Sequence, residues 1–232
     1  MDSGLSNRQI GLMARKYWNR PKLVIPWLKL GADRGWALAQ FNLANHFEEG
    51  LGVKRDLKKA VKYYRLAAHQ GFDSAILNLG RCYSFGWGVR RNTRRAYRLY
   101  LRAASLGNAN ACFNLGRYFD IGKGVKRNPK KAFAWHLKAA RRGVVDSMRY
   151  VGVDYHEGRY ASKNDREAVK WYTRAARLGD EISTYNLGLC NLHGDGTKKN
   201  VKKAELLLRK SRRMGYGRAG ILLRKINSRK MR

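Results

Sequence analysis

Apolar residues return at helical spacing in short segments that glycines interrupt. Ala39, Leu43 and Phe47 lie on one helical face, which predicts a helix from the Ala39 position to just before Gly50. A Gly-x-Gly-Val turn follows, and glycine suits left-handed backbone there. A second apolar stripe runs through Ala60, Tyr63, Tyr64, Ala67 and Ala68, predicting a second helix that Gly71 ends. Tyr63, Tyr64, Tyr100, Trp135, Trp171 and Tyr172 then read as core.

This two-helix pattern recurs every 36 residues without insertion or deletion, in blocks 39–74, 75–110, 111–146, 147–182 and 183–218. Gly71, Gly107, Gly143, Gly179 and Gly215 form one column, and Ala60, Ala96, Ala132, Ala168 and Ala204 another. Leu79-Gly80, Leu115-Gly116 and Leu187-Gly188 form a third, in which a small residue admits a neighbouring helix closely. Asp56, Asn92, Asn128, Asn164 and Asn200 are good N-cap types for the second helices, and Pro129 suits a first helical position. The flanks are half repeats. Residues 1–38 hold N-terminal capping helices, at about 8–19 and 22–35, and residues 219–232 hold a C-terminal capping helix and a basic tail. The expected fold is all-α, a solenoid of helix-turn-helix repeats forming one domain.

Residues 111–143 read ACFNLGRYFDIGKGVKRNPKKAFAWHLKAARRG, and 75–107 read AILNLGRCYSFGWGVRRNTRRAYRLYLRAASLG. This pattern resembles the Sel-one-like repeat (SLR) family, relatives of tetratricopeptide repeats. The resemblance implies a right-handed α/α superhelix with the first helices on its concave face. It also implies a scaffold or adaptor for other macromolecules, because family members mostly act so. A cysteine-rich branch is linked to β-lactam binding, but its regular cysteine pairs are missing. Here Cys82, Cys112 and Cys190 are three sparse thiols that fit a reducing compartment.

Charge adds what the hydrophobic pattern leaves open. Fifty Lys and Arg stand against 16 Asp and Glu, a net +34, and such self-repulsion calls for an anionic partner. The inter-helix turn carries Lys54, Arg90, Lys126 and Lys198, then Arg55, Arg91, Arg127, Lys163 and Lys199. The first turn of the second helix carries Lys58, Arg94, Lys130, Arg166 and Lys202, then Lys59, Arg95, Lys131 and Lys203. Ser162 and Glu167 are the exceptions in these columns. Basic residues in a first helical turn oppose the macrodipole. Neutral Asn caps, helix N–H groups and paired cations together predict a ridge of anion sites. The bland alternative is a solvated face.

The fourth block departs. It carries six acids and a net charge of +1, and Tyr160 and Ala161 replace the usual Gly and Val. The first helices offer a second surface. Its candidates are Phe41, Asn42, Asn78, Arg81, Phe113, Asn114, Arg117, Tyr150, Tyr185 and Asn186, which could stack on bases or hold a peptide. Local hydrogen bonding is the simpler use of the asparagines. Trp87 is a looser candidate for an exposed anchor.

Catalytic motifs are absent. There is no His-Glu-x-x-His, Cys-x-x-Cys, Gly-x-Ser-x-Gly, phosphate loop or Ser-x-x-Lys. His156 with Glu157, and His193 near Asp195, are weak metal or acid–base candidates beside ordinary surface roles. The expectation is a monomeric, non-enzymatic scaffold without cofactor or metal. It binds RNA or a ribonucleoprotein through the ridge, and the alternative is an adaptor gripping an acidic protein in the groove. No apolar run is long enough to span a membrane, and no h-region is visible, so a cytoplasmic location is expected. Nuclear, organellar or host-delivered placement stays open.

Overall fold

The computed structural model describes residues 4–230, so Met231 and Arg232 of the expected basic tail lie outside the described residues. The described residues form thirteen helices and no strand. Two lead in, α1 (Asn7–Lys16) and α2 (Pro21–Asp33). First and second helices then alternate: α3 (Ala37–Glu49), α4 (Leu57–His69), α5 (Asp73–Phe85), α6 (Thr93–Ser105), α7 (Ala109–Ile121), α8 (Pro129–Arg141), α9 (Val145–Glu157), α10 (Asp165–Arg177), α11 (Glu181–His193) and α12 (Val201–Arg213). The last is α13 (Gly217–Lys230). The fold is thus an all-α solenoid of paired helices. The chain divides into two compact units, 1–111 with 123–125, and 112–122 with 126–232.

First helices begin two residues before the expected Ala39 position, at Ala37 and its equivalents. The apolar stripe marks the buried face, whereas the helix start is set by closure of the preceding turn. There Gly35, Gly71, Gly107, Gly143, Gly179 and Gly215 all have positive φ. The amide one residue later donates to a carbonyl five residues back, as Phe72 does to Ala67 at 3.2 Å and Val144 to Ala139 at 3.1 Å. The next helix follows at once.

The turn inside each repeat is fixed from both ends. The cap side chains of Asp56, Asn92, Asn128, Asn164 and Asn200 accept from the amides three residues on. Their own amides donate back to the first helix, Asn92 to Tyr83 at 2.8 Å and Asn200 to Asn191 at 2.7 Å. The second glycine of the turn lies against the first turn of the preceding second helix. A Cβ on Gly88 would sit 2.2 Å from the Leu57 carbonyl oxygen, and one on Gly196 2.2 Å from that of Asp165.

In the first unit Leu43, Tyr64, Ile76, Leu79 and Tyr100 are buried. A Cβ on Gly80 would lie 2.7 Å from the Tyr100 ring, which explains the small residue of the Leu-Gly pair. In the second unit Met148, Val151, Trp171 and Ala175 cluster, as do Tyr172, Leu187 and Cys190. Tyr63 and Trp135, expected in the core, are only half-buried. Both sit at the edge of the buried stripe, whereas Trp171 of the same column is buried. Buried area from such sides contributes about 25 cal/mol per Å², so the fully buried tyrosine column matters most.

Candidate functional site

The fixed turns hold the basic columns outward. Lys54, Arg55, Lys58, Lys59, Arg90, Arg91, Arg94 and Arg95 in the first unit are exposed. So are Lys126, Arg127, Lys130, Lys131, Lys198, Lys199, Lys202 and Lys203 in the second. Among these described residues, one carboxylate contact is seen, Lys59 to Asp56 at 3.6 Å. Several side chains nevertheless have local work. Arg55 Nε donates to the Glu48 carbonyl and Arg127 Nε to the Asp120 carbonyl, each at 2.9 Å, satisfying first-helix C-termini. Arg95 lies 4.5 Å from the Tyr83 ring centroid, Lys59 5.5 Å from Phe47 and Lys131 5.7 Å from Phe119.

The expected open helix N–H groups need correction. The cap side chain takes the third amide, and the following repeat's glycine turn lies on the first residues of α2, α4 and α10. Anion binding on the ridge therefore rests on side chains.

The groove residues sort into used and open. Asn78 Nδ2 donates to the Tyr64 hydroxyl at 3.2 Å, and that hydroxyl reaches Asn45 at 2.6 Å and Glu48 at 2.5 Å. Asn78 is thus drawn into an internal network, and burial with Glu48 raises the Tyr64 pKa. Phe41 is half-buried against Phe72 and Tyr64, at 5.1 and 6.0 Å. Tyr185 packs on Tyr216 at 5.1 Å. Asn114 and Asn186 are half-buried. Asn42 lines an apolar cleft of about 250 Å³ with Ile10, Trp18, Trp27, Trp36 and Leu38. Arg81 lies 5.4 Å from Trp87, which stacks on exposed Phe85 at 4.9 Å.

Phe113, Arg117 and Tyr150 come together in the second unit, beside a cleft of about 640 Å³. Its apolar rim includes Ile121, 66% exposed, and Tyr150, 42% exposed. Its floor holds Asp120, His136 and Asp154. The sequence reading missed these three. The signal was available, because His136 stands in the column of Tyr64, Tyr100 and Tyr172, and Asp154 in that of Cys82 and Cys190. The imidazole fits on Gly116, where a Cβ would be 2.7 Å from Nδ1, and it stacks on Tyr150 at 4.8 Å. Its Nε2 is 2.9 Å from Asp120 Oδ2, while buried Nδ1 has no partner. Burial, then the Asp120 charge, push the Asp154 carboxyl up to about 6, while His136 and Arg159 act against them.

The lining guanidiniums differ in freedom. Arg149 binds Asp146 and Asp180, the latter at 2.5 Å, and Arg159 binds Glu157. Arg117 is exposed and has no carboxylate partner among the described residues. His156 Nδ1 is 2.7 Å from Asp165 Oδ1, so this histidine is held by a local hydrogen bond. Among the described residues no group of three His, Cys, Asp or Glu side chains could hold a metal ion. Cys82 and Cys190 are buried, with pKa values raised by burial to about 12 and about 11. No described helix is long and apolar enough to cross a membrane.

The Sel1 repeat matches residues 37–72, 73–108, 109–144, 145–180 and 182–216. A protective antigen of uropathogenic Escherichia coli strains with an SLR fold is 26% identical, with a TM-score of 0.90 over 97% of this chain. This chain spans half the length of that protein. A Sel1 repeat protein from Oxalobacter formigenes is 27% identical, with a TM-score of 0.84, covering 90% of this chain and 88% of the other. An immunity protein of Pseudomonas aeruginosa, 18% identical over 91% of this chain and 83% of its own, shares the fold with a TM-score of 0.57. Among curated proteins no match is found.

Proposed function

Because the chain belongs to the Sel1 repeat family, whose members generally act as non-enzymatic protein–protein interaction scaffolds, we propose that it holds a protein segment in the α7–α9 cleft. One observation carries this reading. Exposed Ile121 and Tyr150 border a concave site that also presents the Arg117 guanidinium, which has no carboxylate partner among the described residues. Apolar, tyrosine and arginine contacts at the centre of a pocket are what protein hot spots use. Guanidiniums outnumber carboxylates around this cleft, so it suits an acidic segment bearing one apolar anchor. A photoreactive residue at position 121 should crosslink such a partner. Tyr150→Ala should weaken that partner's binding about tenfold or more, whereas Arg94→Glu should leave it unchanged. An unchanged affinity in Tyr150→Ala sinks the reading.

A second reading concerns the ridge, and the exposure of its cations with so few carboxylates in reach favours it. We infer that it binds an anionic macromolecule, RNA first. Purification without nuclease should carry RNA along, and binding should fall steeply with salt as neutralised phosphates release counterions. Affinity that is independent of salt tells against this reading.

A further inference from the structure

The basic columns are not chemically uniform. In residues 75–110 every cation is arginine: Arg81, Arg90, Arg91, Arg94, Arg95, Arg98 and Arg102. The block has no lysine and no acid. At the positions of Arg90, Arg94 and Arg95, the first, third and fifth repeats all place lysine. Lysine would supply the same charge. Arginine supplies a planar fork that grips phosphate through two parallel hydrogen bonds and stacks on flat groups.

Structure gathers this substitution into one place. Asn92, Arg94, Arg95, Arg98, Leu99 and Arg102 line a cleft of about 610 Å³ on α6. Asn92 and Arg95 also line a second cleft, of about 530 Å³, with Tyr83, Val89, Arg90 and Arg91. The two are therefore contiguous. Arg94, Arg98 and Arg102 are exposed, stand four residues apart, and have no carboxylate partner among the described residues. Four helical residues advance about 6 Å, close to the step between phosphates of an extended strand.

A protein partner would ordinarily bring an apolar centre to such a surface. This one offers half-buried Leu99 and Val89 and a wall of guanidiniums. Resting on the ridge reading above, we propose that the second repeat recognises the phosphodiester backbone of a single nucleic-acid strand. Arg94, Arg98 and Arg102 take successive phosphates, and Arg90, Arg91 and Arg95 take those entering the adjoining cleft. The row is one side chain wide, which matches one strand rather than a duplex.

The test keeps charge constant. The full chain is titrated with dodecamers of uridine RNA and thymidine DNA, followed by fluorescence anisotropy. Replacing Arg90, Arg91, Arg94, Arg95, Arg98 and Arg102 together by lysine should weaken binding about tenfold, because bidentate contacts become single ones. The slope of affinity against salt should stay nearly the same, since the charge count does. The mirror variant, Lys198→Arg with Lys199→Arg, Lys202→Arg and Lys203→Arg, should change affinity less than about threefold. A thermal melt checks that the lysine variant folds, which surface positions permit. Equal affinity for the lysine variant overturns this proposal and leaves the ridge reading standing. Tighter binding of a duplex, or equal competition by a glutamate dodecapeptide, also overturns it. No binding of either dodecamer by the unaltered chain overturns both.

Discussion

The second and fourth repeats place the same helices at the same period and treat charge in opposite ways. Helix α6 opens with Thr93, Arg94 and Arg95 and has no acid in its first turn. Helix α10 opens with Asp165, Arg166 and Glu167. Both caps are asparagines bonding the third amide, at 2.9 Å in Asn92 and 3.1 Å in Asn164. In α10 the acids are consumed locally: Glu167 holds Lys170 at 2.6 Å, and Asp165 holds His156 at 2.7 Å. Arg98, the α6 counterpart of Lys170, has no such partner among the described residues. The fourth repeat places acids at its positive helix end and pairs Lys170, whereas the second has only cations there, where helix stability disfavours them. The scaffold does not require open charge, because α10 folds the same way without it.

The largest contrast to test is in packing. Trp171 is 6% exposed within the Met148, Val151 and Ala175 cluster. Its counterpart two periods earlier is Leu99, half-buried and bordering the arginine cleft. Trp171→Ala should cost about 3–5 kcal/mol by denaturant unfolding. Leu99→Ala should cost roughly 1 kcal/mol, as expected of a side chain only partly withdrawn from water. Equal losses would show that α6 is buried as deeply as α10, and that its cleft is not an open surface.

A buried column gives the next contrast. Cys82 of the second repeat corresponds to Asp154 of the fourth. The thiol stays neutral, while the carboxyl, pushed up to about 6 from 3.8, must ionise at neutral pH in a place that resists it. Between about pH 4 and 6 the folded chain holds a proton that the unfolded chain has released. Stability therefore falls as pH rises through that window, and below it the group contributes nothing. Asp154→Asn should match the unaltered chain near pH 4 and exceed it above pH 6, by on the order of 1–3 kcal/mol. Chemical unfolding at pH 4 and pH 7 reads this, and no pH dependence in the difference sinks it.

These contrasts also show what a sequence can reveal. The five-fold glycine and alanine columns gave the helix pairs, and the asparagine column gave the caps, because backbone geometry demands those residues locally. The cleft around His136 was not legible in the same way. Asp120, His136 and Asp154 lie on three different helices, and each looks unremarkable until compared with its column. Asn78 carried the opposite lesson. It was a candidate for a partner beside the simpler use in local hydrogen bonding, and it takes the simpler one, donating to the Tyr64 hydroxyl across a repeat boundary. Arg55 and Arg127 likewise count as ridge cations in the sequence, while the folded chain gives each a carbonyl to hold.

The smallest expected effect addresses the dipole directly. Thr93 and Asp165 occupy the same first helical position, and each lies beneath a glycine turn, that of Gly124 and that of Gly196. Thr93→Asp transfers the fourth repeat's solution to the second without removing any arginine. An acid there meets the positive helix end and should add roughly 0.3–1 kcal/mol at low salt. For a chain of this length that raises Tm by about 1–4 °C. The gain should vanish in 1 M salt, where screening reaches about 3 Å. The same acid stands beside Arg94, so strand affinity should drop severalfold even as the protein becomes more stable. A gain in stability without a loss of affinity would separate the first-turn charge of α6 from binding. A loss without a gain would show that Thr93 already satisfies the helix end.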